Sequence, residues 1–285
     1  MTSPAAFQII AVVGAGTMGA GIAQLCLQAG YRTLLFDVSQ NMLLRGQQAI
    51  EAGLGKLVEK GRMSAADHDA ALGRLTLTHD LEKVQADIVI EAVVEKMSVK
   101  HQLFVDLAAI NSTSTVLASN TSTFPITQLA APVPHPERVV GMHFFNPAPL
   151  MPLVEIISGA ATAPEVSERV RELAVALGKK PVLAADAPGF IVNRVARHYY
   201  VESLKALEEG VAPLETIDEL LESAGFRMGP FKLMDLIGVD TNFAVTSSLY
   251  HAFHYDPKFR PSRIQQQKVD AGHHGRKSGR GFYQY

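Results

Sequence analysis

Along the first two thirds of the chain, short runs of apolar, largely β-branched residues alternate with longer segments whose apolar positions recur every three or four residues. The run Ile9-Ile10-Ala11-Val12-Val13 predicts a strand. Residues 17–28 predict a helix with Met18, Ile22, Leu25 and Cys26 on one face and Gly30 beyond its end, and 33–36 a second strand. Residues 41–60 and 64–72 predict two helices about the turn Lys60-Gly61-Arg62, a helical hairpin. Further strands are expected at 86–93, 116–119, 139–144, 153–157 and 181–184, with helices at 96–110 and 165–177. Strands that are apolar throughout, without alternation, are covered on both faces, so this order predicts an α/β domain with a mostly parallel sheet. From Pro188 the pattern becomes helical, with helices expected near 189–209, 214–223, 230–253 and 262–271. The expected organisation is an α/β domain at 1–186 and an all-helical domain at 187–285.

Composition narrows the possible functions. With 285 residues, 47% hydrophobic and 19% charged, the chain is too apolar for a disordered protein and long enough for two cores. Lys plus Arg number 26 and Asp plus Glu 28, and a net charge of -2 supplies no global field for nucleic acid or an anionic membrane surface. Cys26, the single cysteine, can form no internal disulfide, and no thiolate metal site is expected. No apolar stretch approaches the roughly 20 residues needed to cross a bilayer, and the segment before Ile9 has no signal-peptide pattern. A soluble cytoplasmic protein with no nucleic-acid or membrane partner is expected.

Gly14-Ala15-Gly16-Thr17-Met18-Gly19 follows the first strand and opens the first helix, the context a dinucleotide-binding G-x-G-x-x-G requires. Gly14 permits the tight turn, Gly16 the approach of a pyrophosphate to the backbone, and Gly19 close packing of the helix. The helix start, at Thr17 and Met18, supplies N-H groups and partial positive charge for the phosphates. Asp37, at the end of the second strand, is the acidic residue that accepts from a ribose diol. A 2'-phosphate would be repelled there and no arginine follows, so NAD is favoured over NADP. The domain is therefore read as Rossmann-type. Oxidising an alcohol by hydride transfer also needs a base for the proton. His143 interrupts one apolar strand and Glu155 the next, and paired strands would let the carboxylate hold one ring nitrogen and leave the other for the base. A purely structural His-Glu pair fits the same spacing.

Ser119-Asn120-Thr121-Ser122, Gly141-Met142-His143-Phe144-Phe145-Asn146-Pro147, Pro188-Gly189-Phe190-Ile191-Val192-Asn193-Arg194 and Gly279-Arg280-Gly281-Phe282-Tyr283 occur in order. Together they resemble the 3-hydroxyacyl-CoA dehydrogenase family, over residues 8–285. The resemblance implies that His143 is the catalytic base, Glu155 its orienting carboxylate and Ser122 a donor to the reacting oxygen. It also implies that Asn193, in the second domain, contacts substrate in a cleft between domains. Glu95, Lys100, Asn146 and Lys277 match NAD-contacting positions, and Lys60 matches a position that contacts coenzyme A, with Arg62 as a second phosphate contact. A serine that contacts coenzyme A in relatives is replaced here by Gly53. The implied activity is NAD-dependent, reversible oxidation of a short-chain L-3-hydroxyacyl-CoA such as 3-hydroxybutyryl-CoA, in a homodimer whose second domain serves substrate binding and dimerisation. The alternatives are a 3-hydroxyadipyl-CoA dehydrogenase, a hydroxy-acid dehydrogenase that does not use coenzyme A, and a non-catalytic protein on the same fold.

Overall fold

A computed structural model describes residues 7–285. The chain divides into two compact units, Met1–Ala187 and Pro188–Tyr285. In the first, eight strands run β1 Ile9–Val13, β2 Arg32–Phe36, β3 Leu75–Thr78, β4 Ile88–Glu91, β5 Val116–Ser119, β6 Val139–Phe144, β7 Leu153–Ser158 and β8 Lys180–Ala185. They form one sheet in the order β3-β2-β1-β4-β5-β6-β7-β8. Every neighbouring pair is parallel except β6 and β7. The strand order reverses at β1, so β1 and β4 run side by side with crossovers leaving in opposite directions, and the crevice beyond their carboxyl ends is where such sheets bind ligands.

Between the strands lie α1 Thr17–Gln28, α2 Gln40–Glu59, α3 Ala65–Leu72, α4 Met97–Ile110, α5 Ile126–Ala130 and α6 Pro164–Ala176. Leu43, Gly46, Ile50 and Leu54 recur at helical spacing and form the buried stripe of α2. Ser39 caps α2 by accepting from Met42 N, and Ser64 caps α3 by accepting from Asp67 N, so the helical hairpin read from the sequence is present with both starts defined. The core takes Ile10 and Val12 from β1, Ile22 and Leu27 from α1, Ile88 and Ile90 from β4, and Val154 and Ile156 from β7, all fully buried. Each such side chain contributes about 1.5 to 3 kcal/mol on leaving water.

β3 is a strand the hydrophobic pattern did not reveal. Its four residues alternate leucine with threonine at the sheet edge, where half-burial suffices.

The second unit is helical: α7 Val192–Glu208, α8 Leu214–Ser223, α9 Pro230–Ile237, α10 Val239–Ala252 and α11 Arg263–Asp270. Tyr200, Leu204, Ile217, Phe231, Met234, Val239 and Phe282 make its core. The single helix expected at 230–253 is two, because Gly238 sits at φ 105 and breaks the helical path. The helix expected from 189 begins at Val192, since Gly189 and Phe190 are both left-handed, at φ 74 and φ 49. That conformation is costly for a side chain as bulky as Phe190.

Candidate active site

The crevice at the end of β1 has the features a dinucleotide needs. Gly14 sits at φ 103, where a Cβ would lie 2.6 Å from the Ala92 carbonyl, and a Cβ on Gly19 would collide with the Gly14 carbonyl. Gly16 faces open space, with nothing within 4 Å of an added Cβ. No side chain caps α1 and no acidic residue stands in its first turn, so its N-H groups at exposed Thr17 and half-buried Met18 keep their positive end for an anion. Asp37 accepts from Ala15 N and Ser39 N, both at 2.9 Å, which ties the glycine loop to the end of β2. Beside it a groove of about 500 Å³ is lined by Phe36, Val38, His79, Leu81, Val99 and Leu103.

At the ends of β4 and β5 stands a charge cluster in which Glu91 and Lys100 are buried and Glu95 reaches the surface. Lys100, 1% exposed, places Nζ 2.5 Å from Glu91 Oε1 and 3.0 Å from Glu95 Oε2. Glu95 Oε1 accepts from Thr121 Oγ1, Ser122 N and Thr123 Oγ1 at 2.5, 3.1 and 2.7 Å. Burial works to raise the Glu95 carboxyl, but the Lys100 charge and the hydrogen bonds from Thr121, Thr123 and Lys100 outweigh it and hold the group below the ordinary carboxylate range. The loop bearing Ser122 is thus anchored on Glu95.

β6 and β7 are antiparallel in a register that sets His143 opposite Glu155. His143 Nδ1 lies 2.8 Å from Glu155 Oε2, with the residues 5% and 1% exposed. A carboxylate there makes Nδ1 the protonated nitrogen and Nε2 the basic one. The Phe145 ring lies 4.5 Å from the imidazole, centroid to centroid, and restricts its tilt. Asn120 Oδ1 accepts from Phe144 N at 2.8 Å, joining the Ser122 loop to the histidine strand.

Other residues singled out in the sequence are more dispersed. Asn146 is exposed, two residues past β6, at a cis bond to Pro147. Lys60 and Arg62 are exposed at the hairpin turn. Gly53 does not face open space, because an added Cβ would collide with the buried Gln24 carboxamide. Gln24 helps line a pocket of about 360 Å³ together with Gly16, Thr17, Met42, Gly46 and Pro149. Asn193 stands in the first turn of α7, in the second unit. Lys277 pairs with Asp240 at 2.7 Å within that unit.

Sequence reasoning missed Glu91 and the hydrogen bond of Asn120. Glu91 closes an otherwise apolar strand, the same signal of a polar intruder that exposed His143 and Glu155. Among the described residues no three or more His, Cys, Asp or Glu gather as a metal site would require, and no helix is long and apolar enough to cross a membrane.

Comparison with known proteins matches residues 9–187 to the family model of the 3-hydroxyacyl-CoA dehydrogenase NAD binding domain and 189–285 to that of the C-terminal domain. The chain is 49% identical to a 3-hydroxyadipyl-CoA dehydrogenase of Escherichia coli K12 over 98% of its own length, and spans 59% of that protein. It is 44% identical to a probable 3-hydroxybutyryl-CoA dehydrogenase of Deinococcus radiodurans, covering 96% of this chain and 99% of the relative. The crystal structure of a (S)-3-hydroxybutyryl-CoA dehydrogenase from Ralstonia eutropha superposes with a TM-score of 0.95 at 39% identity, covering 98% and 99% of the two chains. The glycine turn at the sheet's switch point, the paired His143 and Glu155, and matches across both units have one conclusion: the chain belongs to the 3-hydroxyacyl-CoA dehydrogenase family, with NAD as its cofactor.

Proposed function

We propose that this protein catalyses the reversible oxidation of a short-chain L-3-hydroxyacyl-CoA, with 3-hydroxybutyryl-CoA as the preferred substrate, to the 3-ketoacyl-CoA. The observation that carries the reading is the His143-Glu155 pair, two buried polar side chains in adjacent core strands of an NAD-binding sheet. NAD, when bound, accepts the hydride that leaves C3 of the substrate. His143 Nε2 takes the proton of the 3-hydroxyl, and Glu155 holds Nδ1-H and favours the imidazolium that results. Ser122 donates to the reacting oxygen. Asn193 contributes a substrate contact from the second unit.

In this reading the backbone at Gly14, Gly16, Thr17, Met18 and Gly19 receives the pyrophosphate, and Asp37 the adenosine ribose. The apolar groove of Val38 and Val99 suits a flat adenine. Glu95, Asn146 and Lys277 serve the remainder of the cofactor, and Lys100, buried, does so through its pairs with Glu91 and Glu95. Lys60 and Arg62, exposed on the hairpin, suit the phosphates of coenzyme A. Gln24 fills the space a side chain at Gly53 would need, and it also lines the pocket with Gly16, Thr17 and Pro149.

The assembly proposed is a homodimer acting in the cytoplasm. Exposed Val195, Leu220, Phe226 and Leu236 on the second unit supply apolar surface for a second copy, and the buried thiol of Cys26 suits a reducing compartment.

A second reading is favoured by the 49% identity to the 3-hydroxyadipyl-CoA dehydrogenase: an acyl group with a terminal carboxylate. Turnover with NADH on a panel of 3-ketoacyl-CoA substrates, from acetoacetyl-CoA to 3-oxoadipyl-CoA, tests both. Preference for acetoacetyl-CoA supports the first reading and preference for the dicarboxylic substrate the second, while activity undiminished on substrates lacking coenzyme A refutes both.

A further inference from the structure

Glu91 is a deeply buried charge in the first unit that the proposed reaction does not use. It occupies the last position of β4 with its side chain 0% exposed. A carboxylate in such a place is costly unless its oxygens are fully engaged, and an isoleucine or valine would fill the strand without that cost. Its oxygens are engaged: Oε1 accepts from Val93 N at 2.8 Å and from Lys100 Nζ, and Oε2 accepts from Ser119 Oγ at 2.6 Å.

Both routes lead to one loop. A serine hydroxyl has a single proton, so giving it to Glu91 turns the oxygen's lone pairs outward, and Ser119 Oγ accepts from Thr121 N at 3.1 Å. On the other route Lys100 bridges Glu91 to Glu95 Oε2. With that oxygen held, Glu95 presents Oε1 to Thr121, Ser122 and Thr123. Thr121 Oγ1 in turn accepts from Thr123 N and Phe124 N.

The geometry points to Glu91 as a positioning residue that clamps the 119–124 loop by two routes, at Ser119 and through Glu95 at Thr121 to Thr123, and thereby sets Ser122 at the reacting oxygen. Lys100 then acts through Glu95, as the arm of the clamp. The role given to Ser122 rests on the proposed function; the clamp itself does not.

The test uses the full chain with Glu91→Gln, which keeps size and removes charge. Two quantities are measured: amide hydrogen exchange at 121–124, and kcat for acetoacetyl-CoA reduction by NADH with Ser122 intact or as Ser122→Ala. Exchange at 121–124 is expected to rise about tenfold while β1 amides stay unchanged. The clamp predicts that kcat falls about tenfold with Ser122 present and changes little further in the Ser122→Ala background. Equal losses of kcat in both backgrounds, or unchanged exchange at 121–124, overturn the proposal. Should Glu91→Gln not fold, Ser119→Ala cuts one arm alone, and unchanged exchange at the Thr121 amide then overturns it. A wild-type protein inert toward acetoacetyl-CoA refutes the substrate reading, and the exchange result still decides the clamp.

Discussion

In the first unit Glu91, Lys100, His143 and Glu155 are buried with their polar groups meeting other side chains. In the second, Asp218 and Asp235 are equally buried, at 0% and 1% exposure, yet most of their bonds go to backbone N-H groups. Asp218 accepts from Phe231 N and Lys232 N, serving as a remote cap for α9, and from the Tyr283 hydroxyl. Asp235 accepts from Phe282 N, Tyr283 N and the Tyr285 hydroxyl, pinning the closing segment to the core. Burial and the Asp218 carboxylate together push the Tyr283 phenol well above its ordinary range, so it stays a donor. A buried acid does not by itself mark chemistry. What separates the two regions is the partner: a backbone amide ends the chain of contacts, whereas a titratable or rotatable side chain passes it on.

The comparison is broken most directly at His143. His143→Gln is expected to lower kcat by about a thousandfold while NADH affinity, read by fluorescence titration, changes little. Undiminished turnover would put the His143-Glu155 pair in the same structural class as the aspartates. Asp235→Asn is expected to do the reverse. It turns an acceptor into a donor facing Tyr283 N and the Tyr285 hydroxyl, and should cost about 2 to 3 kcal/mol in urea unfolding. The folded fraction should retain its kcat; a large loss of kcat without loss of stability would give the closing segment a role in the reaction.

The smallest effect concerns Glu95, which sharpens the boundary between the classes because it touches both side chains and backbone. Its carboxyl is held low in the folded state, so its contribution is fully present above the unfolded value and is lost as pH falls through the folded one. Because the Glu95 side chain is 37% exposed and solvent screens its charge, wild type should exceed Glu95→Gln by less than about 1 kcal/mol near neutrality, and the gap should begin to narrow as pH falls below the ordinary carboxylate value of about 4.3. A gap that persists in acid would mean that packing, not charge, anchors the loop.

Much of this molecule is readable from local pattern. The glycine turn, the α1 helix, Asp37 at the end of β2 and the capped hairpin all depend on residues close in sequence, whose spacing and conformational preference are local properties. Other elements were hidden for equally physical reasons. β3 lacks an apolar run because an edge strand needs only one covered face, and the break at Gly238 looks like a tolerated glycine until its φ is known. The burial of Lys100 was hidden because a long basic side chain is ordinarily solvated. It is buried because Glu91, nine residues away, shares its ammonium with Glu95.

By itself the sequence determined the α/β class, the dinucleotide turn and the identity of the polar intruders His143 and Glu155. Only the tertiary structure decided that β6 and β7 pair antiparallel in the register that sets those two opposite each other, since a shift of one residue would turn them to opposite faces. It also decided that Glu91, Lys100, Glu95 and Ser119 meet around the Ser122 loop. Periodicity records which face of an element is apolar. The energy that selects one partner among many for a buried charge comes from desolvation and hydrogen bonding between segments that meet only after folding.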